Sequence, residues 1–127
     1  MNMKQIISTP NAPQAIGPYS QAVEANGFVF VSGQIPIVPA TGQMPDGIEA
    51  QTEQVMRNIG AILEVAGLTY SNVVKTTVLL KSIADFATMN GIYAKYFTAD
   101  CPARAAFEVA ALPKEALIEV EVIAAKN

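Results

Sequence analysis

The chain has 127 residues, 51% of them apolar and 15% charged, and eight basic against eleven acidic side chains give a net charge of −3. It contains no histidine and one cysteine, which excludes Ser-His-Asp and Cys-His nucleophile systems and argues against zinc or copper sites. The few, scattered basic residues argue against nucleic acid as a main partner, and no apolar run approaches the roughly 20 residues that span a bilayer.

The length suits a single domain over 1–127, large enough to bury a core without disulfides or a structural metal. Charged residues fall below the roughly 25% usual in globular domains. Part of the surface is therefore expected to be hidden against other copies of the chain. Met1 to Ile7 holds no apolar stretch of signal-peptide type, and Cys101 has no intrachain partner; both point to the reducing cytoplasm. Neither G-x-x-x-x-G-K-[ST] nor G-x-G-x-x-G occurs, so the common phosphate cradles are missing. Catalysis then has to rest on Arg, Lys, carboxylates, Tyr, hydroxyls, backbone groups and water, in a reaction that needs no strong nucleophile.

In chain order, Lys4 to Ser8 reads as a short strand. Asn11 to Ser20 carries Pro13, Gly17 and Pro18 and reads as an ordered loop or a loose arm. Ser20–Ala25 and Phe28–Ser32 flank Asn26-Gly27, the strongest short hairpin signal. Pro36, Pro39, Gly42 and Pro45 mark a loop. Asp46-Gly47-Ile48-Glu49 has the form of a capping box, opening a long amphipathic helix. Its apolar stripe is Ile48, Thr52, Val55, Ile59, Ile62, Leu63 and Ala66, and Gly67 stands at its C-terminal end. Val73 to Leu80 is β-branched and apolar, as a buried strand is. Ser82-Ile83-Ala84-Asp85 has the form of a second capping box. The helix it opens is expected to run through Tyr96 or Phe97, with Phe86, Met89, Ile92 or Tyr93, and Tyr96 inward. Strands over Ala105–Ala110 and Leu117–Ala125 close the chain across Leu112-Pro113-Lys114-Glu115. The order β-β-β-α-β-α-β-β predicts an α+β fold, a mixed sheet with two helices on one face and the other face left for neighbouring subunits.

Two strands carry candidate chemistry. In Ala103-Arg104-Ala105-Ala106-Phe107-Glu108, alternation puts Arg104, Ala106 and Glu108 on one face. A small residue beside the guanidinium leaves room for a carboxylate held by two parallel hydrogen bonds. A structural ion pair of Arg104 with Glu108, or with a glutamate of the next strand, fits the same spacing. In Ile118-Glu119-Val120-Glu121-Val122 both glutamates share a face. They read as a solvated strand surface or as one general base that aims a water molecule, and the spacing does not choose between them. Tyr19, after Gly17-Pro18, suits a ligand contact or a loop anchor. Asn90 suits a ligand donor or an exposed helix position. Cys101 has no basic neighbour in sequence and reads as a core or interface thiol.

Several segments together resemble the RidA (YjgF-type) reactive imine deaminases. They are Asn11-Ala12-Pro13 with Ala15 to Gln21, Val31-Ser32-Gly33-Gln34-Ile35-Pro36, Val74-Lys75-Thr76-Thr77-Val78 and Asp85-Phe86-Ala87-Thr88-Met89-Asn90. Pro102-Ala103-Arg104-Ala105-Ala106 and Val109 to Lys114 complete the resemblance, which runs nearly end to end. It implies a chorismate mutase-like fold, a cytoplasmic homotrimer with three clefts between subunits, no cofactor, and hydrolysis of 2-iminobutanoate and 2-iminopropanoate to 2-keto acids and ammonia. It further implies that Arg104 binds the substrate carboxylate and that Glu119 serves the attacking water. Tyr19 from the neighbouring subunit, Asn90, and backbone near Gly33 and Ala106 would line the cleft. Ala106 stands where some members carry cysteine, a change that a backbone contact survives, and the stretch before Pro102 is shorter than in some members. A trimeric regulator that binds keto or imino acids without turnover is the alternative. A chaperone-like or translation-affecting protein is a third reading, weakened by the negative charge.

Overall fold

The computed structural model describes residues 3–127; Met1 and Asn2, the start of the segment read above for a leader, lie outside the described residues. Along the chain come β1 (Gln5–Ile7), β2 (Ala22–Ala25), β3 (Phe28–Gln34), α1 (Ile48–Val65), β4 (Val73–Leu80), α2 (Phe86–Tyr93), β5 (Ala103–Glu108) and β6 (Ile118–Ala125). One sheet holds all six strands in the order β1-β2-β3-β6-β4-β5. Every pairing is antiparallel except β4 with β5. This is the expected mixed sheet and element order, with β6 inserted between β3 and β4.

The core follows from two periodicities meeting. Val29 and Val31 of β3, Thr76, Val78 and Leu80 of β4, and Ile118, Val120, Val122 and Ala124 of β6 are all buried on one face. Val55, Met56, Ile59, Ile62 and Leu63 of α1 pack on them, and Met89 and Tyr93 of α2 extend the same cluster. Asn26 (φ 53°) and Gly27 (φ 81°) both take the left-handed conformation of a tight hairpin turn between β2 and β3. After α1, the Leu68 N–H reaches the Leu63 carbonyl at 2.8 Å and the Gly67 N–H that of Glu64 at 2.9 Å, closing the helix as its glycine predicted.

Both capping boxes need correction. The first helix is entered at Gly47 (φ 88°), and no side chain caps it, so Asp46 plays no capping part. At the second, Ser82 Oγ accepts from the Ala84 N–H at 3.3 Å and caps a 3-10 turn over Ile83–Asp85. Asp85 does not reach back to the Ser82 N–H; the next N–H, that of Ile83, is taken by Glu108 of β5 at 2.9 Å. A side chain from a distant strand thus satisfies a donor of this turn that the local motif would have left open. The helix α2 also stops at Tyr93. Beyond it Lys95 and Tyr96 donate to the carbonyls of Ile92 and Tyr93 three residues back, the tighter winding common at helix ends. The strand around Arg104 lies two residues earlier than expected, since its pairing with β4 begins at Lys75 and Ala103.

The other face of the sheet carries no helix, as expected from the element order. Phe28, Phe30 and Phe107 stand there 42%, 45% and 47% exposed, beside Lys75, Thr77, Glu119 and Glu121. No helix among the described residues is long and apolar enough to cross a membrane.

Buried amides tie the loops to this frame. Asn58 on α1 donates to the carbonyls of Ile35 at 3.2 Å and Ile37 at 3.0 Å, and accepts from Gln54 at 2.9 Å. Asn58→Ala should cost about 1–3 kcal/mol, because two carbonyls lose their partner in a dry site. Urea denaturation at fixed protein concentration should show a lower midpoint at unchanged slope; an unchanged midpoint would mean that water replaces the amide.

Candidate active site

β5 is an edge strand paired in register with β4, so Arg104 lies opposite Thr76. Paired residues point to the same face, and Thr76 is buried beneath the helices. The Arg104 side chain therefore turns toward α2. Its Nη1 donates to Asn90 Oδ1 at 2.6 Å. Its guanidinium carbon lies 5.3 Å from the ring centre of Phe86 and 4.9 Å from that of Tyr93. The structural ion pair that the spacing also allowed is not formed, since Glu108 is engaged with the Ile83 N–H. The ion pairs among the described residues are Lys95–Glu53 and Lys126–Glu24. Arg104 faces a groove of about 520 Å³ between α2 and β5, shared with Asn90, Tyr93 and Cys101.

Glu119 belongs to the opposite face. It is half-buried at the floor of a second groove of about 690 Å³, with Tyr19, Ser32, Gly33, Lys114 and Glu121 around it. Burial, with the like charge of Glu121 as the smaller cause, pushes its carboxyl above the ordinary value of 4.5. The register between β3 and β6 shifts between Val31 and Gln34, and this bulge brings Gly33 against the carboxylate. A Cβ on Gly33 would meet Glu119 Oε2 and lie 2.9 Å from Cδ. Gly33→Ala should keep the fold, because only the flexible end of Glu119 has to yield, while moving that carboxylate off its position. We expect a melting temperature within a few degrees of wild type and catalysis lowered about tenfold or more, as misplaced groups usually cost. Wild-type turnover by this variant would show that the placement of the carboxylate is not critical.

Five of the six expected site residues thus fall into two groups, and Ala106 stands apart. Tyr19, Gly33 and Glu119 share one groove, and Asn90 and Arg104 share the other. Ala106 turns its methyl toward the core edge, so a ligand could meet it only through the unpaired backbone of the edge strand. One chain by itself does not bring Arg104 and Glu119 together.

Two residues escaped the sequence reading. Gln21 is buried, and its amide accepts from the Thr9 N–H at 2.7 Å and donates to the carbonyls of Thr9, Ala12 and Pro13 at 3.0, 3.3 and 2.8 Å. It pins the base of the loop that carries Tyr19; the one available signal was an amide at the threshold of an apolar strand. Lys114, on the rim of the Glu119 groove, is left-handed (φ 55°), as is Glu115 (φ 57°). Two such non-glycine residues in succession are costly, and Leu-Pro-Lys-Glu announced only a turn. Among the described residues no group of three or more His, Cys, Asp or Glu side chains gathers to hold a metal ion.

Comparison with known proteins places these grooves in a family context. The family described as Endoribonuclease L-PSP matches residues 9–126. The chain is 54% identical over 122 residues to the Reactive Intermediate Deaminase A, chloroplastic, of Arabidopsis thaliana; the match covers 95% of this chain and 65% of that one, so the chain spans just under two thirds of that relative. It is 48% identical over 126 residues to the 2-iminobutanoate/2-iminopropanoate deaminase of Mus musculus, covering 98% of this chain and 93% of that one. The crystal structure of E. coli TdcF with bound serine is 41% identical and superposes with a TM-score of 0.93, covering 97% of this chain and 99% of that one.

Proposed function

Because the chain belongs to the family described as Endoribonuclease L-PSP, the family of the YjgF/RidA proteins, we propose that it hydrolyses reactive 2-imino acids, 2-iminobutanoate and 2-iminopropanoate, to 2-keto acids and ammonia. The whole chain acts as one domain, and we place it in the cytoplasm, where its free thiol, Cys101, stays reduced. Relatives about 50% identical carry this activity in their names. The absence of histidine and the net negative charge favour imine hydrolysis over the RNA cleavage that the family's description names.

The observation that carries the reading is the division of labour between the two grooves. A caged guanidinium lies on one face and a half-buried, proton-avid carboxylate on the other. What supports a homotrimer is that each groove lacks what the other holds, and that the exposed phenylalanines of the bare face need cover. In that assembly the Arg104 groove of one subunit meets the Glu119 and Tyr19 groove of the next.

The chemistry needs no covalent nucleophile. Arg104 holds the substrate carboxylate, and the protonated imine presents an electrophilic C2. Water adds there while Glu119 takes its proton. The carbinolamine then collapses: Glu119 returns its proton to the nitrogen, the C2–N bond breaks, and the departing ammonia takes the hydroxyl proton as ammonium while the C–O bond becomes the keto group. The Tyr19 hydroxyl, the Asn90 amide nitrogen and backbone N–H groups near Gly33 and Ala106 surround the tetrahedral centre.

Coupling a threonine dehydratase to the protein, with imine decay and keto-acid formation followed together, tests the reaction, and native mass spectrometry tests the trimer. The bound serine in the E. coli TdcF structure favours a second reading, a ligand-binding regulator. Tight 2-oxobutanoate binding with no faster imine decay would establish it.

The displaced carboxyl also predicts a pH dependence. Glu119 acts as a base only when ionised, so catalysed hydrolysis should fall as pH drops through a value above 4.5, and Glu119→Gln should lack this limb. Stability has the opposite sense. The folded form holds this proton more tightly than the unfolded one, so its contribution declines as pH rises from 4.5 through the raised folded value. A kcat/KM profile, corrected for uncatalysed decay, whose low-pH limb persists in Glu119→Gln would refute the base assignment, and a wild-type limb at or below 4.5 would refute the raised proton affinity.

A further inference from the structure

We propose that Phe86 and Tyr93 are positioning residues that hold the Arg104 guanidinium in place before substrate arrives. The inference rests on Arg104 being the group that receives the substrate carboxylate.

Arg104 starts from a poor position for the task. Its strand is the last of the sheet, it is exposed, and it pairs with no carboxylate. A long side chain in that setting ordinarily samples many rotamers, and ordering them on binding weakens affinity. Three residues of α2 prevent this. Phe86, Asn90 and Tyr93 stand at i, i+4 and i+7, along one side of the helix. The two rings lie 5.3 and 4.9 Å from the guanidinium carbon, within cation–π range. The Asn90 carbonyl takes one Nη1 proton at 2.6 Å.

The Tyr93 ring is itself fixed. Its hydroxyl is 2.8 Å from Thr76 Oγ1 in a buried hydrogen bond, and its ring packs 4.7 Å from that of Phe97. Thr76 is the residue that faces Arg104 across the β4–β5 pairing. A closed circuit results, running from the Arg104 backbone to Thr76, through its hydroxyl to Tyr93, and from the Tyr93 ring back to the guanidinium. Burial holds the Tyr93 hydroxyl above the usual phenol range, so the ring stays neutral. The cage thus uses aromatic faces and a neutral carbonyl, where a carboxylate partner would compete with the substrate's own.

The test uses Phe86→Leu, at the half-buried edge of the cage, together with Tyr93→Leu and Tyr93→Phe. Nitrogen relaxation of the Arg104 Nε–H in the ligand-free protein reads guanidinium order directly, and 2-iminobutanoate hydrolysis reads KM and kcat separately. We expect an ordered Nε–H in wild type and a mobile one in both leucine variants. KM and the 2-oxobutanoate Kd should rise about tenfold, the scale of a lost cation–π contact plus side-chain ordering, with kcat changed less. Tyr93→Phe, which keeps the ring, should recover most of that loss. A mobile Arg104 in ligand-free wild type overturns the proposal, whether or not the variants fold. So does an unchanged KM in a folded Phe86→Leu protein. Failure of wild type to hydrolyse imine would instead remove the assigned reaction and leave the relaxation measurement to judge the cage.

Discussion

Arg104→Ala should lower kcat/KM for 2-iminobutanoate about 10²-fold or more, the usual loss when a preorganised electrostatic donor is removed. The guanidinium is the one basic group in its groove, so no neighbour there takes over the carboxylate. Stability should hardly change, because Arg104 is exposed on an edge strand and its deletion leaves no buried polar atom unpaired. Arg104→Lys should fall between: it keeps the charge but loses the planar fork that meets a carboxylate with two bonds. Steady-state kinetics on folded, correctly assembled variants decides the matter. An alanine variant as active as wild type would mean that the carboxylate is held elsewhere, with Lys114 on the rim of the other groove as the next cation to examine.

Glu119→Gln should reduce kcat by about 10²–10⁴-fold, the range a positioned general base contributes. The substitution keeps shape and removes only the ability to take a proton from water. Binding of 2-oxobutanoate should stay within a few-fold of wild type, and calorimetry can show this separately from turnover. If binding collapses together with rate, Glu119 is a structural or binding group. Gly33→Ala supplies an independent check, because it displaces the same carboxylate without changing its chemistry. The two variants should agree in lowering turnover and differ in their pH profiles: the alanine variant keeps a titrating carboxyl and the glutamine variant does not.

How far the sequence could be read depended on the distance over which each feature is decided. The Asn26-Gly27 hairpin, the span of β4 and the alternation of Glu119 and Glu121 against Ile118, Val120 and Val122 are set by neighbours within a few residues, and all were legible. The two capping boxes were read from equally local motifs and did not form. The left-handed entry at Gly47 displaced one, and at the other Ser82 caps only a 3-10 turn, whose Ile83 N–H is held by Glu108, 25 residues away in sequence. The side-chain partner of Arg104 was left open in the sequence for a related reason. The strand offered Glu108 two positions away, whereas the side chain turned to Asn90, 14 residues back in sequence, because α2 lies over that edge of the sheet.

By itself the sequence determined the chemical inventory, the helix stripe, the period-two faces of the strands and the element order, since these follow from residue type and short-range geometry. The tertiary structure alone decided that β6 inserts between β3 and β4, that Arg104 shares a face with α2 while Glu119 lies on the bare one, and that Gly33 stands against Glu119. Those outcomes depend on long-range pairing and register, where a shift of one residue would turn every side chain to the opposite face. Burial then raised the proton affinity of Glu119, a property of its surroundings that no stretch of neighbouring residues specifies.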